Sequence, residues 1–368
     1  MTRILVLGGS GVFGSRIAER LVRDPVVDLI IAGRNLKACE ALGQKLRLAG
    51  SNRVEAAAVD ALTLSADTLR QLRLNVVINT VGPFQAHDYR VARAAIDAGV
   101  HYIDIADARG FVAGISALDA GAKAAGVLVV SGASSVPALA AAIIDELGLG
   151  FDRLECITCG ISPGNSFDPG LATGRSIIGA LGRPFMSLTD GRMSPQYGWQ
   201  PIVRHRVPGI GTRWFGACDA PDLDLFPIRY SSLQTQRFVA GVEVKAFHAA
   251  LWAMSWIVRA GLLRQPERLA GPLLAAKRWL SFLGSDRGVM FVVLDGRGRD
   301  GQPKRIVWDL AAWRGHGPYI PATPAVILAR GLAAASVTVR GAMPCVGLMT
   351  HQQFTREVAD LDIRQTIR

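Results

Sequence analysis

The sequence is poor in the residues that build metal centres and disulfide frameworks. Its five cysteines (Cys39, Cys156, Cys159, Cys218, Cys345) are odd in number and scattered, which suits a reducing, cytoplasmic compartment rather than a bridged secreted fold. Its six histidines stand apart, without H-E-x-x-H or similar spacing, so no metal site is expected. Cys156 and Cys159 form a C-x-x-C, but both fall in an expected strand, Leu154 to Ile161. Residues i and i+3 of a strand point to opposite faces, so the pair reads as structural. No helix-turn-helix, zinc knuckle or RNA-binding aromatic motif is present, which argues against nucleic acid. No basic leader precedes the strand beginning at residue 3, so no signal peptide is expected. Acidic residues are few, 30 against 41 Lys and Arg, for a net charge of +11. That balance favours a phosphorylated cofactor, an anionic small-molecule substrate or an anionic membrane surface.

What is present begins with the first stretch. Ile4 to Leu7 is a short apolar run of the kind that forms a buried parallel strand. Gly9, Gly11 and Gly14 follow at G-x-G-x-x-G spacing, and Ile17, Ala18 and Leu21 then repeat at helical spacing. Strand, glycine turn and helix in that order form a dinucleotide-binding fingerprint. Gly9 is expected to make the tight turn, Gly11 to let a pyrophosphate approach, and Gly14 to let the helix pack near the strand. Ser10, Val12 and Phe13 fill the positions between, at a helix start whose free N–H groups suit phosphate.

The second strand, Asp28 to Arg34, ends in Gly33-Arg34-Asn35 with Lys37 behind and no acid in its exit. A guanidinium there suits a 2′-phosphate, so NADP is preferred over NAD; the plainer reading has Arg34 stacking on adenine or facing solvent. A helix is expected from Leu36 to about Ala49, and a strand over Val54 to Val59. It ends at Asp60, which either meets the adenine edge or caps the next helix. The run Asn75 to Phe84 is a fourth buried strand, whose tip residues Asn79, Thr80, Val81, Gly82 and Pro83 should line the nicotinamide side of the crevice. Strands over His101 to Asp107 and Val127 to Val130, with helices between and a last helix through Leu147, complete a doubly wound parallel sheet.

Four stretches together resemble the saccharopine dehydrogenase family. They are Gly9-x-Gly11-x-x-Gly14, Val77 to Phe84, Ala98 to Ile105 and Gly132 to Pro137, with Gly315 to Arg330 similar to the family's closing segment. The resemblance implies an NAD(P)-binding Rossmann domain, an inserted α+β domain and hydride transfer in an interdomain cleft. The expected organisation is therefore residues 1–147 as the Rossmann domain and 148–314 as an inserted α+β substrate or dimerisation domain on a mainly antiparallel sheet. Residues 315–368 return to the first domain. The implied function is NADP-dependent hydride transfer to or from a C=N, C=O or activated C=C bond; the alternative is a non-catalytic nucleotide-binding scaffold or sensor at a lipid surface.

In the second half, Asn165 to Trp199 reads as loop-rich with a helix near Thr173 to Ala180. Pro201 to Phe215 reads as a basic loop or a strand pair, and Asp219 to Tyr230 as a rigid turn region. The most apolar helix candidate, Val244 to Leu263, holds an uncharged run of only ten residues, Ala249 to Val258, half the roughly 20 that span a bilayer. Ten Lys and Arg against four Asp and Glu follow over Arg259 to Arg305, which suits peripheral membrane contact, though a domain or homodimer contact is the preferred reading. Val289 to Leu294 and Ile306 to Leu310 form a hairpin around a glycine-rich turn, and a helix is expected over Pro324 to Ala335. Candidates for a proton donor are Asp107, His316 and Tyr319. Tyr102 and Asp104 share one face of the fifth strand, where either could be core, and Ser135 lies with Asp107 nearer the expected crevice. None of the five tyrosines has lysine four residues on, which leaves out the Tyr-x-x-x-Lys pair of short-chain dehydrogenases.

Overall fold

The computed structural model describes residues 1–48, 53–86 and 88–368. The chain divides into two compact units, Met1–Leu139 with Pro318–Val358, and Ala140–Gly317 with Ala359–Arg368. In chain order the first segment holds β1 (Thr2–Leu7), α1 (Val12–Leu21), β2 (Val27–Gly33), α2 (Leu36–Leu48), β3 (Val54–Ala58), α3 (Ala66–Gln71), β4 (Val76–Asn79), α4 (Arg90–Ala98), β5 (His101–Asp104), α5 (Arg109–Gly114), α6 (Asp119–Ala124) and β6 (Leu128–Ser131). The middle segment holds α7 (Ala140–Leu147), β7 (Arg153–Ser162), α8 (Gly170–Gly179), β8 (Pro184–Thr189), β9 (Arg192–Tyr197), β10 (Val203–Val207), β11 (Gly211–Ala217), α9 (Asp222–Arg229), β12 (Thr235–Ala240), α10 (Lys245–Arg259), α11 (Ala270–Trp279), β13 (Gly288–Arg297) and β14 (Pro303–Ala312). Last come α12 (Tyr319–Ala333), β15 (Gly341–Pro344), α13 (His351–Glu357) and β16 (Ile363–Ile367).

The first unit is built on seven parallel strands in the order β15-β6-β5-β4-β1-β2-β3. Helices cover both faces, so Ile4 to Leu7, Val76 to Ile78 and Leu128 to Val130 are fully buried, as continuous apolar runs in a parallel sheet should be. The order reverses between β1 and β4, which puts a topological switch point at their carboxyl ends. The sixth expected strand gains a neighbour, β15, whose four residues are too short to signal themselves. The expected end of the second helix, Ala49, lies outside the described residues. Helix α12 starts at Tyr319 rather than Pro324 and carries Pro324 inside it. Burial of Ile320, Ala322, Ala325, Val326 and Leu328 outweighs the single hydrogen bond that proline removes.

The second unit is built on a mainly antiparallel seven-stranded sheet, β10-β11-β12-β7-β13-β14-β16, in which only β7 and β12 run parallel. It includes α7, which was expected with the first domain. It also includes Ala359–Arg368, because β16 pairs with β14. A Cβ at Gly160 on β7 would stand 2.2 Å from the Phe291 ring, so glycine there makes room for a core aromatic. The edge strand β10 reaches β14 through His205, whose Nε2 lies 2.6 Å from Asp309 Oδ1, and Asp309 also accepts from Arg368.

Two local expectations change, and a reading left open resolves to the strand pair. The stretch called loop-rich holds the hairpin β8–β9, turned by Asp190 and Gly191 at φ of 51° and 77°; paired positive φ is what an Asp-Gly turn provides. The stretch Pro201 to Phe215 is a strand pair, β10–β11. The three-aspartate region is helical over α9, whose buried Leu223 and Phe226 hold it against the sheet. Trp308 on β14 is fully buried, and its Nε1 donates to Gln365 Oε1 at 3.1 Å. Trp308→Ala should destabilise folding by about 3–5 kcal/mol, read as a lowered urea midpoint.

Candidate nucleotide-binding site

The turn after β1 is shaped by four glycines rather than three. Gly8 has φ of +78°, so it makes the tight turn that was assigned to Gly9; a Gly-Gly pair closing a strand was the available signal. The amides of Gly8 and Gly9 both donate to Ala32 O of β2, at 2.8 and 3.0 Å, and Gly11 N donates to Gly8 O at 2.9 Å. A Cβ on Gly9 would meet Ile31 Cγ2 and Val6 O at 2.8 Å, and one on Gly14 would meet Gly8 O at 2.4 Å and Gly9 Cα at 2.8 Å. Gly9 and Gly14 therefore let turn, strand and helix touch backbone to backbone. Gly11 differs: it is exposed, and a Cβ there meets only Gly8 O at 3.1 Å. The space above it lies open to a ligand.

Gly11 is the N-cap of α1, with no side-chain cap and no acidic residue in the first turn. The uncapped, dipole-positive helix start suits an anion. Ser10 and Val12 are exposed beside it and Phe13 is half-buried. The Ser10 hydroxyl lies 4.0 Å from where a Gly33 Cβ would stand, which brings the glycine turn next to the exit of β2. There Arg34 and Asn35 are exposed. The Arg34 side chain forms no hydrogen bond or ion pair among the described residues. Asn35 has a local task, since its Oδ1 accepts from Ala38 N at 3.1 Å, starting α2.

Other expected contacts turn out to be scaffolding. Asp60 does not cap the next helix; Ser65 caps α3. The Asp60 carboxylate instead accepts from Leu62 N at 3.0 Å in a local turn. Asn79 is buried, donating to Tyr102 Oη at 3.2 Å and accepting from Val81 N at 3.0 Å, so it sets the tip of β4 rather than facing the crevice. Thr80 donates from both N and Oγ1 to Leu7 O at 2.9 Å, tying β4 to β1 at the switch point. Val81 is half-buried, while Gly82 and Pro83 are exposed beyond it.

The candidate acids separate clearly. Asp104 is fully buried at the end of β5, where it accepts from Ala106 N, Gly132 N and Ser131 Oγ, each at 2.9 Å. Burial pushes its carboxyl up to about 6 against those bonds, and the group is a brace between β5 and the exit of β6. Ser135 is buried too. Asp107, three residues beyond β5, keeps solvent access. The protein around it nevertheless raises its carboxyl above the ordinary value, against a hydrogen bond from Gln85. Gln85 was not anticipated. Tyr319 is corrected from acid to strut: its hydroxyl donates to Glu19 Oε2 at 2.5 Å beneath the Arg16 guanidinium. Burial and then Glu19 push its phenol up to about 12, so it holds its proton. His316 belongs to the second unit and accepts the Asp362 amide on Nδ1 at 2.8 Å, an anchor for the approach to β16. Cys156 is half-buried and Cys159 fully buried, both as free thiols.

Residues 4–130 match the family described as the saccharopine dehydrogenase NADP binding domain. The chain is 30% identical over 170 residues to a probable mitochondrial saccharopine dehydrogenase-like oxidoreductase of Arabidopsis thaliana, covering 42% of this chain and 35% of that protein. It is also 30% identical over 157 residues to a lipid droplet localized protein of Caenorhabditis elegans, covering 40% of this chain and 35% of that one. The matches thus span about a third of either relative's length. Among solved structures, apo saccharopine dehydrogenase (L-Glu forming) of Saccharomyces cerevisiae has the same fold, with a TM-score of 0.70 over all of both chains at 14% identity. No helix among the described residues is long and apolar enough to cross a membrane. The glycine turn, the switch point and the family match agree on one region: residues 4–130 are similar to the saccharopine dehydrogenase NADP binding domain.

Proposed function

We propose that the protein is an NADP-dependent oxidoreductase that reduces or oxidises a small molecule at a C=N, C=O or activated C=C bond. The reading is carried by one observation, the pairing of an open helix start at Gly11 with the Arg34 guanidinium, which has no partner among the described residues, at the exit of β2. The residues fit the cofactor: Gly8, Gly9, Gly11 and Gly14 leave a cradle that side chains would fill. Ser10 and the first turn of α1 hold the pyrophosphate. Arg34 takes the 2′-phosphate, because its planar fork matches phosphate oxygens. Val81, Gly82 and Pro83 carry the nicotinamide side. When bound, the nicotinamide supplies or accepts the hydride. Asp107 holds the proton, since its raised carboxyl keeps it to higher pH than an ordinary aspartate. In reduction it would donate that proton to the substrate heteroatom or carbon, which requires solvent access together with a raised carboxyl.

Titration with NADPH and NADH, followed by energy transfer from the seven tryptophans, tests the reading. Selective NADPH binding is expected. Arg34→Asp should weaken NADPH by about 1.5–3 kcal/mol, roughly 10- to 100-fold, and leave NADH much less affected. Equal weakening of both would show that Arg34 does not read the 2′-phosphate.

A further inference from the structure

The end of α11 displays a run of apolar side chains that the rest of the fold leaves uncovered. Trp279 is 87% exposed, Phe282 76% and Leu283 52%, with Leu280 between them. Nearby in sequence Leu262 is 80% exposed, and Trp256 and Ile257 of α10 are each nearly half exposed. The inner face of α10 is satisfied: Leu251, Met254 and Val258 pack with Ile178, Leu181 and Trp199. A single exposed leucine needs no explanation, but Trp-Leu-Ser-Phe-Leu at one tip does.

The tip is also built to be held in place. Asn165, itself buried, donates from Nδ2 to Leu280 O at 3.0 Å and Ser281 O at 3.2 Å. Glu243 accepts from Asn165 N and Ser285 N at 2.7 Å and lies 3.2 Å from Arg213. Lys277 donates to the carbonyls of Asn165 and Phe167, and Arg278 pairs with Asp168. A Cβ on Gly284 would stand 2.4 Å from Asn165 Cβ and 2.7 Å from Glu243 Oε2, so the turn is closed tightly on this network. Buried polar groups therefore fix a loop whose apolar side chains point to water.

Charge selects the occupant. Residues 259–287 carry six Lys and Arg against two Asp and Glu, and Glu267 lies 4.0 Å from Arg183. Arg264, Arg268 and Arg287 are exposed, and their side chains enter no ion pair among the described residues. A symmetric dimer through this face would set two like-charged patches against each other. An anionic lipid surface instead neutralises the arginines while Trp and Phe enter the headgroup boundary.

We propose that the outer face of α10, α11 and the Trp279–Leu283 tip docks the second unit on an anionic lipid surface. The tip inserts Trp279, Phe282 and Leu283, and the unpaired arginines meet the headgroups. Flotation of the full chain with phosphatidylcholine–phosphatidylserine vesicles tests this. At low salt the protein should float, should float far less with phosphatidylcholine alone, and should lose roughly tenfold or more in partitioning as Trp279→Ala/Phe282→Ala, since two buried aromatics drive insertion. Arg264→Gln/Arg268→Gln should weaken binding and flatten its salt dependence. Both pairs lie on the surface, and unchanged thermal melting verifies folding. Failure of the folded protein to float overturns the proposal, as does equal flotation by the aromatic double variant. A concentration-dependent dimer in light scattering that the same variant dissociates would assign the face to a second copy instead.

Discussion

Replacing Gly14 by alanine should abolish dinucleotide binding. The added Cβ would stand 2.4 Å from Gly8 O and 2.8 Å from Gly9 Cα. These are backbone atoms held by hydrogen bonds to Ala32 O, so no side chain can rotate away. Overpacking of this kind costs about 1–3 kcal/mol, and the relief available is to push α1 off the turn. That motion removes the helix N–H groups from the phosphate position. Affinity for NADPH should fall by more than ~100-fold, with a lowered melting temperature. Gly11→Ala is the informative contrast. Its Cβ points into open space, apart from Gly8 O at 3.1 Å, so folding should be nearly unchanged while binding is lost through exclusion of the pyrophosphate. Calorimetric titration alongside thermal melts separates the two. If Gly11→Ala binds normally, the cradle is not the phosphate site.

The second large effect concerns Asp107. Asparagine preserves its size and its contact with Gln85 but carries no transferable proton. Turnover should drop by about 10²–10⁴-fold, the usual worth of a positioned general acid, with little change in NADPH affinity. The pH profile carries the sign. A donor must be protonated, and the raised carboxyl of Asp107 keeps it so above the ordinary aspartate range. In the reducing direction the wild-type rate should therefore be high at low pH and fall as pH rises through that raised value. In Asp107→Asn this limb should vanish. An unchanged rate in the asparagine variant, once a substrate is in hand, would remove Asp107 from the chemistry. Asp104→Asn is the control for mere structural damage. It breaks the brace between β5 and the exit of β6, and should lower stability without selectively removing a pH limb.

Much of the first unit was legible along the chain. Its strands are buried on both faces and so read as unbroken apolar runs, and its glycines are demanded by local geometry. The turn residue was misassigned by one position, since spacing alone does not say which of Gly8 and Gly9 takes positive φ. Site residues were harder. Asn79 and Thr80 stand at the right strand tip, but whether a polar side chain faces a ligand or a neighbouring strand depends on partners far away in sequence. Tyr319 shows this most plainly, because its hydroxyl donates a hydrogen bond to Glu19, three hundred positions earlier. The second unit was less readable. Its Asp-Gly hairpin went unseen because the flanking strands, exposed on one side, lack a strong apolar signal. Helix α9 was hidden behind its prolines.

The sequence by itself determined the parallel sheet, the glycine cradle and the basic group at the exit of β2, because each depends on residues within one turn or one strand of each other. Tertiary structure alone decided which acids are braces and which reaches solvent. It also decided that the last strand belongs to the second unit's sheet, and that Trp279 and Phe282 are fixed outward by a buried asparagine. Those outcomes rest on burial and on hydrogen bonds between distant segments, and neither is set until the chain has closed on itself.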